Sequence, residues 1–157
     1  MELYSRRFFC WCAVWLGLAA MVRAQAAEPA APDPVVAKLD ESVGRFFEGV
    51  AKGDVAKSYA DLLKDSQLLR QADAVKSLVD KTKDLEKRFG KYRGYDRVDA
   101  KRVGKDLILV RYIYKCDDFP VVWYLSFYRD FKHSDADNSA WIVVSVRFDT
   151  DLELLGM

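Results

Sequence analysis

After the N-terminal segment, apolar residues recur at steps of three and four positions through the first half of the remaining chain. The first such run covers 35–50, and Gly53 ends it. Asp54 can cap the next helix, and a third run covers 73–89 before Gly90, with Lys and Arg in its last turn. The spacing predicts three amphipathic helices, each with one apolar stripe.

Beyond Gly94 the apolar period changes from helical to alternating, and aromatic and β-branched residues dominate. Both features indicate strands. Short polar connections between the runs favour an antiparallel meander. We therefore predict an α+β fold, in which three N-terminal helices pack on a curved antiparallel sheet of about four strands, at 95–103, 106–116, 121–131 and 140–148.

The first 26 residues differ in composition from the rest of the chain. Arg6-Arg7 supplies a basic head, 8–22 is an uncharged run of 15 residues, and Ala24-Gln25-Ala26 has the small residues that precede a signal cleavage site. A membrane-spanning helix needs about 20 apolar residues. We predict that the protein is exported to the periplasm or secreted, without a stable membrane span after cleavage. The predicted parts are a signal peptide, a flexible Ala/Pro-rich leader and a single domain, at 1–26, 27–34 and 35–157.

Two questions about this signal stay open at the level of sequence. An uncleaved anchor is the alternative to cleavage. Ser5-Arg6-Arg7-Phe8-Phe9 also resembles the twin-arginine export motif, which would imply passage of a folded protein.

Charge indicates no class of partner. The chain has 25 Lys and Arg against 24 Asp and Glu, and the small basic excess belongs to the signal. Such a balance does not fit a strongly basic nucleic-acid-binding protein, so no nucleic-acid partner is expected. After cleavage Cys116 is the only cysteine, so stability has to come from a packed core or a dimer instead of an internal disulfide. We expect no metal and no cofactor.

The order of elements and the last strands resemble the nuclear transport factor 2 superfamily, which has a cystatin-like cone fold. The resemblance covers Val35 to Leu155. It rests on Gly53-Asp54 between helices and, in the sheet, on Val122-Trp123, Phe127-Tyr128-Arg129, Trp141 and Val146-Arg147-Phe148. Members include isomerases, dehydratases, transport adaptors and exported bacterial proteins of unknown role, so the resemblance implies a fold and not an activity. It also implies a homodimer that pairs through the outer sheet face.

Alternation divides the predicted sheet into two faces. The nearly continuous apolar face is predicted to lie under the helices. It comprises Ile108, Val110, Tyr112, Tyr114, Cys116, Val121, Trp123, Leu125, Phe127, Ile142, Val144, Val146 and Phe148. The outer face mixes aromatic and cationic residues, which are enriched at protein interfaces. Its candidate binding or dimer residues are Arg111, Tyr124, Tyr128, Trp141 and Arg147. An ordinary half-exposed sheet with cross-strand aromatic pairs is the alternative.

An enzyme of this superfamily would need an acid or base inside the cone. Asp96 is the candidate base, with the hydroxyls of Tyr59 and Tyr112 as donors. His133 lies in a polar loop away from any inward position, and no motif of the catalytic relatives is matched. We therefore expect a non-enzymatic, dimeric domain that binds a small apolar ligand or a protein partner. The alternative is a small-molecule isomerase or hydro-lyase that uses Asp96 and Tyr112.

Overall fold

A computed structural model describes residues 33–131 and 141–156, which all belong to one compact unit. The helical elements come first: α1 Pro34–Ala51, α2 Val55–Leu62, a 3-10 turn Gln67–Arg70, α3 Ala72–Lys83 and α4 Leu85–Phe89. The strands are β1 Tyr92–Val103, β2 Leu107–Cys116, β3 Val121–Arg129 and β4 Trp141–Asp149, followed by a 3-10 turn Glu153–Gly156. The fold class is α+β, as predicted. None of the described helices is long and apolar enough to cross a membrane.

The helix boundaries follow local capping chemistry. Asp33 Oδ1 accepts a hydrogen bond of 2.9 Å from Val35 N at the start of α1, next to a proline at the first helical position. Gly53 follows α1 with a φ of 85°, a left-handed conformation that glycine adopts without strain. The third predicted helix is divided at Asp84 into α3 and α4. The sequence predicted one helix there because the apolar stripe continues across the break.

The sheet is an antiparallel meander with the strand order β1-β2-β3-β4. In β2 and β3 the predicted faces are confirmed, since Val110 pairs with Leu125 and Tyr112 pairs with Trp123 on the buried side. Each strand is therefore the neighbour of the preceding one, as expected for successive hairpins.

An aromatic cluster fills the space between the helices and this side of the sheet. Phe47 of α1 is fully buried, and its ring centre lies 5.1 to 5.7 Å from those of Tyr95, Tyr112, Tyr114 and Trp123. These are distances for tilted and edge-to-face ring packing. The cluster therefore joins the first helix to three of the four strands.

The edge strand β4 contains one residue more than β3 at the middle of their pairing. Ser126 pairs with Ser145 and Phe127 pairs with Val143, so Val144 is a β-bulge. The carbonyl of Val143 accepts a hydrogen bond of 2.5 Å from the Ser66 hydroxyl, which ties this edge strand to the turn before α3.

The bulge reverses the alternation in the first part of β4. Val143 is buried on the helix-facing side, and Trp141 packs against the core there. Ile142 lies on the outer side opposite Tyr128, and Val144 is exposed. The predictions that Ile142 and Val144 face the core, and that Trp141 and Val143 face outward, are wrong because a strict period of two does not include a bulge.

Truncation of Phe47 tests the importance of the aromatic cluster. Phe47→Ala should lower the free energy of unfolding by about 3 to 5 kcal/mol, because it removes a buried ring with five aromatic neighbours. Phe131→Ala is the matched control, since Phe131 is 57% exposed, and it should cost less than about 1 kcal/mol. Urea unfolding followed by circular dichroism measures both. Similar costs for the two variants would contradict this account of the core.

Candidate functional site

One row of side chains crosses all four strands on the outer face of the sheet. Asp99 on β1 pairs with Arg111 on β2, Arg111 pairs with Tyr124 on β3, and Tyr124 pairs with Arg147 on β4. We call these four residues the charged row. The register therefore brings together three of the five predicted binding residues.

Both arginines of the charged row contact another member of the row. Arg111 Nε lies 3.0 Å from both carboxylate oxygens of Asp99, and its Nη2 lies 2.5 Å from Asp99 Oδ2. This charge-assisted hydrogen bonding lowers the pKa of Asp99 and raises the pKa of Arg111. The Arg147 guanidinium carbon lies 4.4 Å from the centre of the Tyr124 ring, a cation–π contact.

A groove of about 490 Å³ runs along the charged row. Besides those four residues, Lys101, Leu109, Ser126 and Ser145 contribute to its lining. The hydroxyl oxygen of Tyr124 is buried here and has no hydrogen-bond partner among the described residues. Burial, with a smaller contribution from the Asp149 carboxylate, raises the pKa of Tyr124. The groove thus combines three cationic side chains and one carboxylate with the Tyr124 hydroxyl, which has no hydrogen-bond partner among the described residues.

An apolar row lies beside the groove, at one end of the outer face. Pairing aligns Val103, Leu107, Tyr128 and Ile142 across the four strands, and we call them the apolar row. Val103 and Tyr128 are 43% and 42% exposed. The exposed Phe131 ring packs edge-on against Tyr128 with centres 5.9 Å apart. Adjacent exposed apolar side chains are typical of an interaction surface.

At the opposite end, the outer face is covered on β3 but exposed on β1 and β2, where Asp96 and Lys115 form an exposed ion pair. Val122 lies on this face opposite Ile113 and Asp149, yet it is fully buried. Asp151, in the segment that follows β4, is close enough to Tyr124 to contribute to its raised pKa after burial and Asp149. The part of the outer face that is open across all four strands, here called its open part, therefore consists of the charged row, the groove and the apolar row.

Trp141 does not belong to this surface, although the alternating pattern predicted it there. The bulge in β4 places it on the helix-facing side, where the Arg102 guanidinium carbon lies 5.4 Å from its ring centre. The structure brings Tyr128 to the apolar row and Arg111, Tyr124 and Arg147 to the charged row, but it leaves Trp141 on the other side of the sheet.

The residues of the enzymatic alternative do not lie together. A second bulge, at Val98, separates the pair Arg97–Tyr112 from the pair Asp99–Arg111. Asp96 consequently lies on the outer side opposite Ile113, and its carboxylate is 2.9 Å from Lys115 Nζ. The expectation that Asp96 points inward is wrong, because Arg97 occupies the inward position next to it.

The two tyrosines proposed as hydroxyl donors have separate partners. Tyr59 Oη lies 2.9 Å from Thr82 Oγ1, whereas Tyr112 Oη donates a hydrogen bond of 2.6 Å to Asp40 Oδ1. Both rings are fully buried, and burial is the main cause that raises the pKa of each hydroxyl. Both tyrosines are therefore neutral at physiological pH.

Asp40 is the residue that sequence reasoning missed. It lies on α1 in line with the buried Val36, Val43 and Phe47, and its carboxylate also forms an ion pair with Arg97. An acidic residue within an apolar helical stripe is the signal that could have indicated a partner on the sheet. The arrangement links α1 to β1 and β2.

The predicted signal peptide and His133 lie outside the described residues. Within 33–131 and 141–156, no three His, Cys, Asp or Glu side chains are arranged to hold a metal ion.

The described fold defines an α+β protein with helices on one face of a four-stranded antiparallel sheet and a partly open second face. No protein-family model, no curated protein and no solved structure matches the chain. Its function therefore has to be inferred from its own residues.

The hydrogen bond between Tyr112 and Asp40 can be tested by removing one hydroxyl. Tyr112→Phe should lower the free energy of unfolding by about 1 kcal/mol, because the half-buried Asp40 carboxylate loses a hydrogen-bond donor. Tyr95→Phe is the matched control, since no described residue hydrogen-bonds to the Tyr95 hydroxyl, and it should change stability by less than about 0.5 kcal/mol. Chemical denaturation of both variants gives the comparison. Equal losses would argue against a stabilising role for this hydrogen bond.

Proposed function

We propose that the chain is an exported, non-enzymatic binding protein that forms a homodimer through the open part of its outer sheet face. The observation that carries the proposal is that the charged row and the apolar row lie on this same face, separated only by the row of Lys101, Leu109, Ser126 and Ser145. Helices that cover only one side of an antiparallel sheet also support the nuclear transport factor 2-like cone fold, which we include in the proposal.

The charged row is self-complementary under two-fold symmetry. Consider two sheets packed face to face, with the two-fold axis parallel to the strands and above the space between β2 and β3. This operation places β1 of one protomer over β4 of the other, and β2 over β3. Asp99 then faces the partner's Arg147, and Arg111 faces the partner's Tyr124. Such reciprocal pairing is what an isologous dimer interface requires.

The same operation brings the two apolar rows together. Val103 faces the partner's Ile142, and Leu107 faces the partner's Tyr128. Burial of exposed apolar surface contributes roughly 25 cal/mol per Å², so this contact supplies favourable free energy while the charged row sets the alignment. Val103 and Tyr128 are among the more exposed apolar side chains of the described sheet, which supports their burial in a dimer.

The isomerase or hydro-lyase alternative has less support. Trp123, Tyr112 and Phe127 fill the interior in which its substrate would bind. Asp96, its proposed base, pairs with Lys115 on the other side of the sheet. A binding role agrees better with this distribution of groups.

Analytical ultracentrifugation of residues 27–157 tests the dimer. We expect twice the mass of one chain at micromolar concentrations. Tyr128→Glu and Arg147→Glu should each weaken the dimer by about tenfold or more, because they place charge in the apolar row or reverse charge in the charged row. Arg45→Glu, an exposed position on α1, is the control and should leave the mass unchanged.

Charge exchange gives a sharper result for the same surface. Combining Asp99→Arg with Arg147→Glu should restore part of the association lost in Arg147→Glu, since the two positions face each other across the two-fold axis. A parent chain that sediments as a monomer throughout the range would overturn the dimer. A dimer that none of these variants affects would place the interface elsewhere.

Expression of the full chain in bacteria tests the export part of the proposal. Mass spectrometry of the exported product should show a chain that begins at Ala27, because the small residues at 24 and 26 fit the signal peptidase. A variant that lacks residues 1–26 is the control and should stay in the cytoplasm. Recovery of the uncleaved chain in the membrane fraction would contradict cleavage. Replacement of Arg6 and Arg7 by Lys distinguishes the two export routes, since it blocks only the twin-arginine route.

A further inference from the structure

The groove on the outer face is lined by more positive than negative charge. Lys101, Arg111 and Arg147 line it, and Asp99 is the one carboxylate among its described lining residues. We propose that the groove binds a small organic carboxylate, and that the bound anion contacts both copies of the chain in the dimer. The inference rests on the proposed dimer and names the class of ligand that the dimer takes.

Lys101 is the cation of the groove that no carboxylate neutralises. Arg111 Nη2 lies 2.5 Å from Asp99 Oδ2, and Arg147 Nε lies 3.9 Å from Asp149 Oδ2. Within the described ranges Lys101 forms no ion pair. A second copy packed on this face would therefore enclose one uncompensated positive charge per chain. Such a charge is costly to enclose unless an anion accompanies it.

The Tyr124 hydroxyl is the second feature that indicates a ligand. Its oxygen is buried without a hydrogen-bond partner among the described residues, although buried hydroxyls normally have one. It can donate to a carboxylate oxygen, as can the Arg147 guanidinium that lies over the same ring. The Arg147 side chain is 63% exposed, so it can move with an entering anion and open the hydroxyl to it.

Two carboxylates at the covered end of the face oppose an anion. Asp149 and Asp151 both lie near Tyr124, but neither lines the groove. Asp149 faces the Arg147 guanidinium, and Asp151 Oδ1 accepts a hydrogen bond of 3.1 Å from Glu153 N. A ligand in the groove therefore approaches the charged row from the opposite side, where Lys101 lies.

One copy of the chain does not bring the cations together. Lys101 is on β1 and Arg147 is on β4, the two edges of the sheet. Neighbouring strands are about 4.8 Å apart, so three spacings separate these positions by roughly 14 Å. The two-fold operation of the proposed dimer places Lys101 over the partner's Ser145, beside the partner's Arg147. Each carboxylate would thus lie between Lys101 of one copy and the partner's Arg147 and Tyr124, at two equivalent sites.

Leu109 favours an organic anion over an inorganic one. It lies in the same row as Lys101 and is 36% exposed. A short hydrocarbon chain on the carboxylate can cover this apolar surface, and its burial adds favourable free energy. Butyrate combines the two parts and is the probe.

Titration of residues 27–157 with sodium butyrate tests the site. The amide signals of Lys101, Tyr124 and Ser145 should shift saturably in NMR spectra with millimolar affinity, whereas sodium chloride at equal ionic strength and n-butanol should give no saturable shift. Lys101→Gln and Tyr124→Phe should each weaken binding by about threefold or more. Lys38→Gln, which removes an exposed charge from α1, is the matched control and should bind like the parent chain. Sulfate that binds as tightly as butyrate would contradict the organic class of the ligand.

Mixing two weakened variants tests whether each site is shared. After exchange of Lys101→Gln chains with Tyr124→Phe chains in equal amounts, about a quarter of the sites should regain the parent affinity, because each mixed dimer has one intact site. Failure to regain these sites would overturn the shared site.

Sedimentation separates failure of this inference from failure of the dimer. Butyrate should shift the equilibrium toward the dimer, since the complete site exists only there. A dimeric parent chain without saturable shifts up to roughly 50 mM butyrate would overturn the carboxylate site and leave the dimer intact. Equal butyrate binding by a monomeric Tyr128→Glu chain would overturn the contribution of the second copy. A parent chain that stays monomeric with and without butyrate would overturn both proposals.

Discussion

Packing of one helix on the sheet through the Phe47 ring is the contact on which the rest of the structure depends. Phe47 touches aromatic rings from β1, β2 and β3, and it is fully buried. Full burial of such a side chain contributes about 1.5 to 3 kcal/mol before the aromatic contacts are added. Cys116 is the free cysteine of the described chain, so no disulfide within the described residues supplements this packing. The aromatic cluster has to hold α1 on the sheet.

The filled interior also decides which surfaces are left for function. Rings occupy the space that a substrate would need at the centre of the fold, whereas the outer face keeps a groove and an exposed apolar row. Polar groups inside the fold are used to position elements, as in the hydrogen bond of Tyr112 to Asp40 on α1. Recognition therefore has room on the open part of the outer sheet face.

Three β-bulges in the described sheet, at Arg93, Val98 and Val144, control which side chains reach each face. The bulge at Val98 sends Asp96 outward and Arg97 toward α1, and the bulge at Val144 sends Trp141 toward the core. Each inserts a single residue, which exchanges the two faces on one side of it. The candidate site on β2 and β3 was predictable because those strands alternate without interruption. The contributions of β1 and of the first part of β4 were not, since neighbouring apolar residues such as Val143 and Val144 fit either register.

The amino-acid sequence by itself determined the α+β class, the antiparallel meander and the outward position of Arg111, Tyr124 and Arg147, because periodicity and short connections are local properties. The tertiary structure alone decided the sides taken by Asp96 and Trp141 and the partnership of Asp40 with Tyr112. Those features depend on strand register and on contacts between residues far apart in the chain, such as Ser66 with Val143. Hydrophobic spacing carries no information about either.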